Sequence, residues 1–141
     1  MKKLIGIGII FLTLFSCQDL NTLSSDKTLT EKIEAKFNSN SEIVDLSELN
    51  SFEWNELLIL GPYSIINNVE KEQNLDLENI RKNGIEYNDS VNLLIFLKKG
   101  KSVKISEVSR GIGDFMNLGQ IVEKSKTKFI KTEDGQNKLA E

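Results

Sequence analysis

The sequence predicts a small α+β domain, an antiparallel sheet packed against one or two short helices. Three observations predict it. Leu29, Ile33 and Phe37 recur at intervals of four, the spacing of one helical face. Val91 to Leu97 holds six apolar residues in seven positions, too dense for anything but a buried strand. The turn Lys98-Lys99-Gly100-Lys101 follows, and Val103 and Ile105 then alternate with Lys104 and Ser106, as in the second arm of an antiparallel hairpin. Helices early and sheet late make an α+β order.

Leu29 to Phe37 reads as a short amphipathic helix with Thr30 as N-cap, ended by Asn38-Ser39-Asn40-Ser41. Glu42 to Leu46 reads as a short strand or an extended lead-in. Trp54 to Gly61 contains Leu57-Leu58-Ile59-Leu60 and reads as a largely buried strand. Pro62, the only proline, stands where a strand stops and a helix starts. Ser64 is the expected cap of a helix to about Gln73, with Ile65, Ile66 and Val69 inward. Residues 76–81 read as a turn or short helix, and Asn83-Gly84 and Asn88-Asp89-Ser90 as turns. The hairpin at 91–108 is expected to have one wet face. Residues 109–120 read as a loop, Ile121-Val122 and residues 128–131 as final strands, and 134–141 as a polar tail.

Composition narrows the chemistry. The chain has 141 residues, 18 Lys and Arg against 21 Asp and Glu, one Cys and no His. That length suits one domain. Without His there is no Ser-His-Asp triad and no imidazole metal ligand. A lone Cys forms neither an intrachain disulfide nor a Cys-Cys metal site. An acidic balance disfavours nucleic acid as partner. The expectation is no enzyme, no metal and no cofactor.

The N-terminus supplies an address. Met1-Lys2-Lys3 precedes an apolar run from Leu4 to Phe15, followed by Leu14-Phe15-Ser16-Cys17. The run is shorter than the roughly 20 residues of a membrane-spanning helix and matches the charged start and apolar core of a secretory signal. Its end resembles the lipobox of bacterial lipoproteins: aliphatic at minus three, small at minus one, then Cys. The resemblance implies cleavage before Cys17 and acylation of its sulfur and new amino group. Cys17 is then a tether, and several acyl chains hold a protein where one holds only marginally. The implied division is a signal peptide at 1–16, lipidated Cys17 with a polar tether at 17–28, the α+β domain at 29–133 and the tail at 134–141. Losing Lys2 and Lys3 leaves 16 basic against 21 acidic side chains, a net charge of −5. Such a body is expected to stand off from an anionic bilayer on its lipid. The implied location is the bacterial cell membrane or outer membrane, on the extracytoplasmic side.

Phe52-Glu53-Trp54-Asn55, the aliphatic strand and Gly61-Pro62-Tyr63-Ser64 form the most distinctive stretch. Together with Val91 to Phe96, the Lys98–Lys101 turn, and Arg110 followed by Gly113-Asp114-Phe115, it resembles a group of small, largely uncharacterised bacterial lipoproteins and exported proteins. Their shared pattern is an aromatic, Trp-Asp, an aliphatic strand, then Pro-Tyr-Thr or Pro-Tyr-Ser opening a helix. Here Asn55 replaces the acid. The resemblance implies fold and address, and no activity.

Three sets of residues are candidates for recognition. Trp54 and Tyr63 either pack the core or anchor a partner surface. Arg110 and Asp114, four apart around a Gly-x-Gly, either pair with each other or meet a charged partner; the phosphate-loop Lys-Ser/Thr is missing. Lys98, Lys99, Lys101 and Lys104 form the one basic cluster, with Lys124, Lys126 and Lys128 joining if the last strand lies near. Lysines also guard sheet edges, and no aromatic is interleaved to make a nucleic-acid platform. An acidic protein or lipid headgroups suit the cluster better. Glu53 with Glu56, and Glu86 with Asp89, are spaced three apart, but nothing in the pattern puts a groove between them. The sequence therefore favours a membrane-tethered, non-enzymatic module that binds another envelope protein or supports an envelope assembly. A small-molecule-binding or inhibitor-type lipoprotein is the alternative, and a hydrolase the weakest.

Overall fold

Among the described residues two sheets and two α-helices form the domain, and the central strands decide the layering. A computed structural model describes residues 21–141; the signal segment 1–16 and Cys17 lie outside the described residues. The strands are β1 (Ile43–Asp45), β2 (Glu56–Leu60), β3 (Val91–Lys98), β4 (Lys101–Ser109), β5 (Ile121–Glu123), β6 (Lys128–Lys131) and β7 (Asn137–Leu139). The helices are α1 (Lys27–Phe37) and α2 (Ile66–Gln73). A four-stranded sheet runs β4-β3-β2-β5 and a three-stranded sheet β1-β6-β7, with every strand pair antiparallel. This is the α+β class that the sequence predicts.

β3 is buried from Asn92 to Leu97 because both faces of its sheet are covered. On one face Leu57, Ile59, Leu94, Phe96 and Val108 pack with Leu29, Ile33 and Phe37 of α1 and with Phe129 of the second sheet. On the other, Leu58, Leu60, Leu93, Ile95, Leu97 and Ile105 pack with Ile66, Leu77, Ile80 and Ile85. Alternation along each strand sends successive side chains to opposite cores, so a continuous apolar run is what a two-sided strand requires. The hairpin therefore lacks the wet face expected of it. Its β4 arm buries Ser102, Ile105, Ser106 and Val108. The turn is a tight one, with Lys99 at φ 51° and Gly100 at φ 74°, the two left-handed corners of a type I′ hairpin.

The tether expected at 17–28 is shorter than that. Leu23 packs into the second core and donates its backbone N–H to the Asn79 carbonyl at 2.8 Å. Ser25 Oγ accepts from the Glu107 amide at 2.9 Å, and the Asp26 amide donates to Ile105 at 3.2 Å. Residues 23–26 thus cover the outer edge of β4, a role that the sequence had suggested for lysines. Asp26, not Thr30, caps α1, accepting from the Leu29 amide at 2.9 Å. Thr30 Oγ1 instead lies 2.6 Å from Ser106 Oγ. The helix begins one turn earlier because the chain is already pinned along β4.

Ser64 does not cap α2. Its hydroxyl donates to the Gly61 carbonyl at 2.7 Å, closing the turn at Pro62-Tyr63, and α2 starts after Ile65 with no side-chain cap. Ile66 is buried, whereas Ile65, expected inward, is exposed. Within 109–120 the loop contains a 3₁₀ turn at Arg110–Ile112 and buries Phe115. The two final strands belong to different sheets. A 3₁₀ turn at Lys124–Lys126 redirects the chain after β5, and β6 pairs with β1. Residues 134–141 are not a free tail: β7 pairs with β6, and Asn137 is 1% exposed.

Candidate functional site

The antiparallel sheet has two ends, and the predicted recognition residues divide between them. At the hairpin end stand Trp54, Lys98, Lys99 and Lys101. At the opposite end, where β2 leaves and β3 enters, stand Tyr63, Arg110 and Asp114. β2 itself separates Trp54 from Tyr63, so no single surface contains both.

Trp54 is 5% exposed, and its Nε1–H donates to the Leu49 carbonyl at 2.7 Å. Its ring meets Phe96 edge-on with centroids 5.0 Å apart, and Phe52 stacks at 6.4 Å. This is a core anchor with its one polar atom satisfied. Above it, Lys124 Nζ lies 4.8 Å from the ring centroid and donates to Asn50 Oδ1 at 2.9 Å. Phe52, Trp54, Asn50, Lys98, Lys99 and Lys124 line an open cleft of about 440 Å³. Lys98 pairs with Glu53 there and holds its carboxyl below the usual carboxylate range, by hydrogen bond first and by charge second. Lys124, added by the sequence only as a conditional neighbour, joins this end. Lys126 pairs with Glu123 at 3.4 Å, Lys128 approaches Asp45 at 3.9 Å, and Lys104 bonds Asp26 at 3.1 Å.

The loop end is built differently. Gly61-Pro62-Tyr63-Ser64 turns sharply, with Tyr63 at φ 63°. A bulky side chain in that region is disfavoured, and the third position of such a turn normally takes Gly or Asn. Tyr63 is nonetheless 62% exposed, so packing does not account for its presence. Its amide donates to the Ile85 carbonyl at 3.0 Å, which brings the 84–90 loop alongside. Tyr87 on that loop is 84% exposed. Leu118, half exposed, closes over Gly61: a β-carbon there would stand 2.8 Å from Leu118 Cδ1. Arg110 reaches across, its Nε and Nη2 donating to Asp114 at 2.8 and 2.7 Å and its Nη1 to the Asp89 carbonyl at 3.1 Å. The Asp114 contact, then its charge, then Asp89 favour the charged guanidinium, while Arg110 in turn holds the Asp114 carboxyl low. Asn92, fully buried, donates to Asp114 at 3.2 Å and ties the pair to β3.

Arg110 and Asp114 therefore do pair, as one of their two sequence readings had it. Sequence reasoning missed Tyr87 and the exposed Ile65 and Leu118. The signal for Tyr87 was an aromatic among the turn residues Asn83, Gly84, Asn88 and Asp89, where no core face needs one.

Among the described residues no group of three or more His, Cys, Asp or Glu side chains is placed to hold a metal ion, and no helix is long and apolar enough to cross a membrane. A second open cleft of about 440 Å³ lies between Ile121, Val122, Leu139 and Ala140. Comparison of the chain with protein-family models, curated proteins and solved structures finds no match.

Proposed function

We propose that this chain is a lipid-anchored envelope protein that binds another protein through the loop end of its sheet, without catalysis. The observation that carries the binding surface is Tyr63: an exposed aromatic held at φ 63°, beside the still more exposed Tyr87. Exposed tyrosines on a rigid frame are the usual anchors of protein interfaces, because they bring large contact area at small entropic cost. The frame is rigid here because Arg110 is clamped by Asp114 and Asp89, and Tyr63 is bound to Ile85. Backbone strain at an exposed position has no use in packing, and such strain concentrates at binding and catalytic sites. The anchor rests on the lipobox ending at Cys17.

The small-molecule alternative draws on the open cleft beside β5, lined by Ile121, Val122 and Leu139. Its polar rim is Gln120, Glu123, Lys126 and Glu141; Lys126 is already paired with Glu123 at 3.4 Å, and the cleft is open rather than enclosing, so protein binding is the preferred reading.

The test has two arms. Cys17→Ser should move the protein from the membrane fraction to the soluble one. Affinity recovery of the processed protein from detergent-solubilised membranes should yield a defined partner, lost in a Tyr63→Ala/Tyr87→Ala variant of unchanged stability. Equal recovery from both forms would refute the loop-end surface.

A further inference from the structure

We infer that the hairpin end of the sheet docks on the phosphate groups of an anionic lipid bilayer. The inference rests on the proposed acylation of Cys17 for its geometry, and on the lysine cleft for its chemistry.

The geometry comes from the N-terminal segment. Among the described residues Leu23 is the first packed into the core, and six residue steps separate it from Cys17. Six steps span at most about 20 Å, even fully extended. The place where Leu23 docks is next to the hairpin. Its amide bonds the Asn79 carbonyl, and the Asn79 side chain donates to the Ser102 carbonyl at 2.8 Å. Asp76 brackets Lys101 from the same side, its amide donating to the Gly100 carbonyl at 2.8 Å and its carbonyl accepting from the Ser102 amide at 3.2 Å. A bilayer holding Cys17 thus lies within about 20 Å of Leu23, on the side of the domain where the hairpin turn stands. The lead before Leu23 has at most about half the reach of a tether over 17–28, so the body stays closer to the bilayer than the longer tether implied.

The chemistry comes from charge. In a chain of net −3, Lys98, Lys99, Lys101 and Lys124 gather at one end. Only Lys98 is neutralised there, by Glu53; Lys99 and Lys101 form no salt bridge among the described residues. Lys124 is held in place by Asn50 and the face of Trp54. The open cleft of about 440 Å³ is lined by Lys98, Lys99 and Lys124, with Phe52 below and Glu53 held by Lys98, and it has room for a phosphate; Lys101 stands beside it on the hairpin turn. Lysines bind phosphate as point charges, and basic residues beside an anchor add to membrane association one by one.

Trp54 is the only tryptophan in the chain, so it reports on this end alone. Full-length processed protein, purified from membranes, is reconstituted into vesicles of phosphatidylcholine with or without phosphatidylglycerol, each carrying dansyl-labelled headgroups. Energy transfer from Trp54 should be higher in the anionic vesicles. It should fall to the zwitterionic value in high salt and in a Lys98→Gln/Lys99→Gln/Lys101→Gln variant, each lysine contributing about fivefold in association. Equal transfer in both vesicles, or a difference that survives the triple variant, overturns the inference. So does a Trp54 response to inorganic phosphate alone with no effect of lipid charge, which would make the cleft a site for a soluble anion. Intact mass of the same preparation reads acylation separately. If Cys17 carries no lipid, the anchoring reading fails, and co-sedimentation with the anionic vesicles still tests the lysine surface.

Discussion

The Asn137 side chain donates to the carbonyl of Gly113 at 2.8 Å, and also to that of Ile112 at 3.2 Å. The Asn137 backbone completes the junction, its amide bonding Asp114 at 2.7 Å and its carbonyl accepting from Met116 at 3.0 Å. The start of the last strand thereby holds the loop that carries Arg110 and Asp114. A C-terminal segment polar enough to pass for a tail is one wall of the proposed binding end, and its buried amide has its donor satisfied rather than orphaned.

Gly113 is the tightest point of that junction. It adopts φ 96°, and a β-carbon would stand 2.2 Å from the Gly135 carbonyl oxygen. Gly113→Ala should cost about 2 kcal/mol or more in urea unfolding, since both the dihedral and the space are lost. Gly84→Ala, at a position with open space, should stay within about 0.5 kcal/mol. Equal effects would show that the Gly113 contact is not formed.

Asp26 joins the N-terminal segment to α1. Asp26→Ala should destabilise the domain by about 1 kcal/mol through loss of the cap. Asp26 and Asp114 also set an acid limit. The Leu29 amide and then Lys104 lower the folded-state pKa of Asp26; the Arg110 contact lowers that of Asp114. A depressed folded value means that the unfolded chain takes up protons first as pH falls. Their contribution is therefore complete above the ordinary aspartate value of 3.8 and is lost as pH drops through the lower folded values. Urea midpoints should fall from about pH 5 to about pH 2.5, and less steeply in an Asp26→Asn/Asp114→Asn variant. A variant as steep as the parent would place the acid sensitivity elsewhere.

Tyr63 separates stability from binding. Tyr63→Gly should stabilise the isolated protein by about 1 kcal/mol, because it relieves the left-handed strain and surrenders little burial. The same substitution should weaken partner recovery. Destabilisation on Tyr63→Gly would mean that the side chain serves packing rather than binding.

The strands were legible where burial is two-sided. Leu57–Leu60 and Leu93–Leu97 are continuous apolar runs, and no pattern other than a covered sheet accommodates them. Helix α1 was legible from Leu29, Ile33 and Phe37, yet its start was misplaced. Asp26 lies outside the apolar period, and its capping role depends on Ser25 and Asp26 being pinned along β4. The last strand was not legible because Asn137 is buried by hydrogen bonds rather than by apolar surface. The division of the recognition residues between two ends was hidden for a different reason. Trp54 and Tyr63 are nine apart in sequence, and only the length and direction of β2 show that they face opposite ways. The pairing of Arg110 with Asp114 was readable from spacing, but its link to Tyr63 runs through Asp89 and Ile85, contacts that no local pattern encodes.

The central claim is that the loop end binds a protein in the envelope. A photocrosslinking side chain at position 87 or 63, introduced in the full-length protein and activated in intact cells, tests it most directly. Both positions should yield the same discrete adduct, while position 126, exposed on the 3₁₀ turn after β5 towards the hairpin end of the sheet, should yield none. No adduct at 63 and 87, or the same adduct at all three positions, would contradict the account.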